Sequence, residues 1–132
     1  MNTASLDTSI IVRILVRDDL SARRKALKLL GQNLTFVVTD LAISETVYVL
    51  ETVYRKSRPE VIDLLAFFLS RYDNIKYNHS LTAAVFPFYL DHPKLSFNDC
   101  CLSVLAELNH AEPLFTFDKS LAKQSPSAKL LQ

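Results

Sequence analysis

Apolar and polar positions alternate along this chain in two rhythms. Short apolar runs, ASL at 4–6, TFVV at 35–38, IKY at 75–77 and LFTF at 114–117, have the length and residue types of buried strands. Between them lie longer segments with apolar residues three and four apart, which predict helices over roughly 20–30, 40–56, 59–71, 79–90 and 97–110. Pro59 suits a first helical position, Asp40 and Asn78 suit caps, and Pro87 predicts a kink or an early end. The run SIIVRILV at 9–16 reads two ways: its β-branched residues favour a strand, whereas the preceding Asp-Thr-Ser favours a helix start. Strands alternating with helices predict an α/β fold with a largely parallel sheet. No repeat, low-complexity segment or Gly/Ser-rich linker interrupts residues 1–132, so a single domain is expected.

The acids fall at informative places in this alternation. Asp7 and Asp118 directly follow apolar runs, and in a parallel sheet wrapped by helices such residues collect at the carboxyl edge, where the next helices begin. Asp99, near the start of the 97–110 helix, and Glu45, just over one turn into the helix after TFVV, point to the same edge. Four carboxylates gathered there repel one another unless a cation compensates. All-oxygen donors select a hard divalent ion, Mg²⁺ or Mn²⁺, whose natural chemistry is phosphodiester hydrolysis. Each acid also has a plain structural reading. Asp7, Asp40 and Asp118 suit helix N-caps, Ser96 and Asp99 have the spacing of a capping box, and Glu45 lies at the edge of an apolar helix face.

Composition narrows the chemistry. The single glycine, Gly31, excludes the glycine-rich phosphate loops and the nucleophile elbow. Lys+Arg 15 against Asp+Glu 14 gives a net charge of +1, so any nucleic acid must be held by a local basic patch. Arg13, Arg17, Lys119 and Lys123 are the candidates closest to the acids, with Arg55, Lys56 and Arg58 further away. Cys100 and Cys101 are adjacent, which suits neither a disulfide framework nor a zinc site and points to apolar packing in a reducing compartment. His79, His92 and His110 form no metal-ligand spacing. The N-terminus lacks a basic leader and no apolar stretch approaches a bilayer's thickness, so the expected location is the cytoplasm.

The series LDTSIIVRIL, SETVYVL, SFNDCCLSVLAE and LFTFDKSLAK resembles the PIN-domain family, most closely its small VapC-type toxins, across nearly the whole chain. The resemblance implies a PIN-like fold, a central and mostly parallel sheet of four or five strands flanked by helices, with 9–16 helical. Asp7, Glu45, Asp99 and Asp118 match the family's four acids in order. Ser9 and Thr116 match hydroxyl residues that orient carboxylates or water. Cys100 and Cys101 stand where small apolar residues are usual, and HAEPL replaces a glycine-containing turn before the last strand.

The implied activity is Mg²⁺- or Mn²⁺-dependent endoribonuclease cleavage, leaving a 5′-phosphate and a 3′-hydroxyl. Asp7 and Asp99 would anchor the ion, Glu45 would bind it or position water, and Asp118 would complete the site or a second position. The implied partners are an RNA substrate, a second copy in a homodimer, and a small VapB-like antitoxin that covers the site. Two other classes compete. One is a non-catalytic PIN-like module that binds RNA or protein, its acids serving as caps. The other is a receiver-like phosphoacceptor domain, whose order of acids and lysine fits this chain poorly.

Overall fold

The computed structural model describes residues 2–132. The chain packs as two compact units, one ending at Asn78 and the other spanning His79–Gln132. The five strands among the described residues lie in parallel ladders with helices between them, the α/β arrangement expected. They are hydrogen-bonded as a three-stranded and a two-stranded sheet.

In the first unit the order is β1 (Thr3–Ser5), α1 (Thr8–Leu15), α2 (Leu20–Leu30), β2 (Thr35–Val37), α3 (Asp40–Thr52), α4 (Arg58–Arg71) and β3 (Ile75–Lys76). The strands pair in sequence order, with Ala4 opposite Phe36 and Phe36 opposite Ile75. Each crossover carries two helices. Phe36, Val38, Ile43, Val47, Leu50, Val61, Leu65 and Phe68 fill the core that these elements enclose. The ambiguous 9–16 segment is helical. Five of the eight residues in α1 are β-branched, which costs at most about 0.7 kcal/mol each in helix propensity. Against that, α1 buries Ile11, Val12 and Ile14 among α2, α3 and α4, worth roughly 1.5 to 3 kcal/mol apiece. Packing therefore decides the conformation.

The ends of these helices differ in detail from expectation. Thr39, not Asp40, caps α3, accepting the Ala42 N–H at 3.1 Å and leaving Asp40 in the first turn. The Asn78 amide donates to the Asp40 carboxylate at 3.2 Å. The α3 helix stops at Thr52 rather than near 56, because Arg55 turns left-handed (φ 53°) and the Lys56 N–H returns to the Leu50 carbonyl. Ser57 then caps α4 in a reciprocal capping box with Glu60, which puts Pro59 at the second helical position instead of the first. The Ser57 backbone N–H holds the Glu60 carboxyl below its ordinary value.

The second unit runs from a π-helical stretch, Leu81–Val85, into α5 (Phe86–Asp91), then α6 (Phe97–Leu108), β4 (Leu114–Thr116), α7 (Lys119–Gln124) and β5 (Ala128–Leu130). Pro87 does not end its helix, which runs on to Asp91. The change of winding occurs just before it, with the Phe86 N–H bonded five residues back to Leu81, which relieves the turn a proline cannot complete. Tyr89 and Phe97 pack edge-on at 5.4 Å in a core with Leu81, Val85 and Leu121. Cys100 is buried and Cys101 half-buried, and neither forms a disulfide among the described residues, in keeping with an apolar role. Neither α7 nor β5 was marked by the periodicity, since six and three residues are too few to show one. No helix among the described residues is long and apolar enough to cross a membrane.

Candidate metal centre

Asp7 sits at the junction of β1 and α1, in the N-cap position with extended backbone (φ −79°, ψ 156°). A capping aspartate would give its carboxylate to the first turn, yet this one makes no capping bond. It accepts instead from the Ser9 hydroxyl, at 3.1 Å on Oδ2. Glu45, in the second turn of α3, has a matching arrangement: its Oε2 accepts from the Thr8 hydroxyl at 3.0 Å. Asp7, Thr8 and Glu45 line one shallow concavity of about 210 Å³ together with Leu6, Thr39 and Ala42. Both carboxylates are exposed, and each keeps one oxygen that accepts no hydrogen bond.

The remaining acids belong to the second unit. Asp99 is the third residue of α6; the Ser96 hydroxyl accepts its backbone N–H at 3.1 Å, while its half-buried carboxylate accepts no hydrogen bond from the described residues. Asp118 caps α7, accepting the Leu121 N–H at 3.0 Å, so here the structural reading holds. Its own N–H donates to the Thr116 hydroxyl at 2.9 Å, which fixes the backbone that carries the acid. Among the described residues no group of three or more His, Cys, Asp or Glu side chains is close enough to hold a metal ion.

A family model for the PIN domain matches residues 4–125, a span that includes all four acids. The chain belongs to the PIN-domain family. No curated protein matches it significantly. PIN domains are typically magnesium-dependent nucleases and generally bind a divalent metal. The donor chemistry of this PIN domain fits such an ion, since Mg²⁺ takes oxygen ligands and is often held by one or two carboxylates with water completing its shell. Asp7 and Glu45 supply two carboxylates with a free oxygen each, lining one concavity.

The basic candidates fare differently. The Arg13 guanidinium donates to Asp18 Oδ1 at 3.0 Å, so much of its charge is already partnered. Tyr54 donates to the other oxygen of Asp18 at 2.7 Å, and this bond, helped by Arg13, holds the Asp18 carboxyl below its ordinary value. Asp18 in turn pushes the Tyr54 hydroxyl above its own. Arg13 and Tyr54 line a second concavity, about 370 Å³, which Asp7 shares. Arg17 in the first unit and Lys119 and Lys123 in the second are exposed and make no ion pair among the described residues. The hydroxyl that holds Glu45, that of Thr8, was not singled out by the sequence. Its only signal was the Asp-Thr-Ser triplet, in which the family resemblance pointed to Ser9.

Proposed function

We propose that this PIN domain is a metal-dependent endoribonuclease, the toxin component of a toxin–antitoxin pair, in which residues 1–132 act as one domain. The observation that supports this reading best is the pair Asp7 and Glu45. Two carboxylates line one concavity, neither is spent on capping, and each is held by a neighbouring hydroxyl with one oxygen left free. Such an arrangement orders ligand oxygens while leaving them available.

By the family resemblance, the proposed ligands of Mg²⁺ or Mn²⁺ are Asp7 and Asp99, with Glu45 binding the ion or orienting water and Asp118 completing the set or a second position. When bound, the ion supplies Lewis-acid stabilisation of the charge that builds on a phosphodiester under attack by water. Ser9 holds the Asp7 carboxylate and Thr116 holds the Asp118 backbone, so neither acid has to be ordered when substrate arrives. Arg17, Lys119 and Lys123 are the proposed contacts for RNA phosphates, with Arg13 contributing through its Asp18-fixed guanidinium. A homodimer, a small antitoxin covering the acids and a cytoplasmic location complete the proposal.

Asp118 favours the second reading, a non-catalytic binding module, because its carboxylate is committed to a cap. Separate Asp7→Asn and Asp99→Asn variants decide between the two. Endonuclease activity should fall at least about a hundredfold in each, with circular dichroism unchanged, if these residues ligate the ion. Undiminished cleavage in both variants sinks the assignment.

A further inference from the structure

The Thr8 hydroxyl joins two parts of the chain 37 residues apart. Its Oγ1 lies 3.0 Å from Glu45 Oε2, while the Ala42 carbonyl stands at 3.5 Å, at the limit for a bond. A hydroxyl has one proton to donate, and the shorter, charge-assisted contact takes it. Ser9 makes a different kind of bond, since its partner Asp7 is only two residues away on the same turn. Thr8 is therefore the side chain that fixes an acid on α3 relative to the start of α1, where Asp7 sits.

We infer that Thr8 is a positioning residue for the metal, acting through Glu45. The inference rests on the reading of Asp7 and Glu45 as metal donors. Glutamate has three freely rotating side-chain bonds, and an exposed one samples many rotamers unless something holds it. Donation to Oε2 confines the carboxylate and leaves Oε1, which accepts no other hydrogen bond, as its ligand oxygen. The same bond eases the repulsion between two carboxylates lining one concavity, because a donated proton disperses part of the charge on Glu45. Thr8 itself contributes no ligand, and its effect vanishes when Glu45 is absent.

Mn²⁺ binding to the intact protein, followed by electron paramagnetic resonance of the free ion, provides a readout independent of turnover. Thr8→Val keeps the shape and removes the hydroxyl, and it should weaken Mn²⁺ binding about tenfold or more. Thr8→Ser should restore binding close to that of the natural protein. In a Glu45→Gln background Thr8→Val should cause no further loss, whereas a merely structural effect would add. Melting curves on all variants exclude unfolding as the cause. Equal Mn²⁺ affinity for natural protein and Thr8→Val overturns the inference, as does additivity with Glu45→Gln. Natural protein that binds no Mn²⁺ overturns both the inference and the proposed function. Binding that behaves as described, without RNA cleavage, upholds the role of Thr8 and overturns the nuclease reading alone.

Discussion

Replacing His110 by glycine should stabilise this protein. The α6 helix ends in a Schellman motif: the Ala111 N–H reaches the Ala106 carbonyl at 2.8 Å and the His110 N–H reaches Glu107 at 3.1 Å. That geometry puts His110 at φ 55°, in the left-handed region where a side chain crowds its own carbonyl. The crowding costs an L-residue roughly 1 to 2 kcal/mol, and glycine gives back about 0.5 to 1 kcal/mol through the greater freedom of its unfolded chain. The net expectation is a gain centred on about 0.75 kcal/mol, at most about 1.5 kcal/mol, or a few degrees in melting temperature. The His110 side chain is exposed and makes no hydrogen bond or ion pair among the described residues. Urea denaturation monitored by circular dichroism measures the difference, and His110→Ala, which keeps the Cβ, should stay near the natural value. If His110→Gly is no more stable than His110→Ala, the attribution to backbone strain is wrong.

The only glycine offers the opposite case. Gly31 has φ −78°, and a Cβ there would meet nothing closer than the Lys28 carbonyl at 3.5 Å, so Gly31→Ala should raise stability by about 0.4 to 1 kcal/mol in the same assay. Ser103 is buried with an unpartnered hydroxyl; Ser103→Ala should be neutral or stabilising by up to about 1 kcal/mol, and a clear loss of stability would expose a missing partner. Tyr54→Phe should raise the Asp18 pKa toward 3.8, read from the carboxyl carbon shift in an NMR titration. The signs follow from linkage. The lowered Asp18 value stabilises the fold above pH 3.8 and is lost as pH falls through the folded value, while the raised Tyr54 value stabilises below pH 10.0 and is lost on going higher. In Tyr54→Phe the alkaline arm should disappear.

The sequence made the long periodic elements legible because their apolar spacing reports burial directly. The helix expected over 20–30 spans Leu20–Leu30, and those expected over 59–71 and 97–110 are found at Arg58–Arg71 and Phe97–Leu108. The 9–16 segment could not be settled from its residues, since β-branched side chains oppose a helix that only the packing of Ile11, Val12 and Ile14 supports. The overrun past Thr52 has a related cause: Arg55 takes a left-handed turn where the sequence carries no glycine to announce it. At the site, the placement of acids after strands was visible, because helices start soon after β1, β2 and β4 and Asp is at home there. What each carboxylate does was not visible. Asp7 and Asp118 stand in equivalent positions, and only hydrogen bonding separates the one that caps from the one that does not. The ties from Thr8 to Glu45 and from Arg13 to Asp18 depend on side-chain geometry that no spacing rule encodes.

Cleavage of total cellular RNA by the purified protein tests the central claim most directly, run with Mg²⁺, with EDTA, and with EDTA followed by excess Mn²⁺. Discrete fragments carrying 5′-phosphates should form with Mg²⁺, vanish with EDTA and return with Mn²⁺. Cleavage that persists in EDTA, or folded protein free of any co-purified partner that leaves every RNA intact, would contradict a metal-dependent ribonuclease.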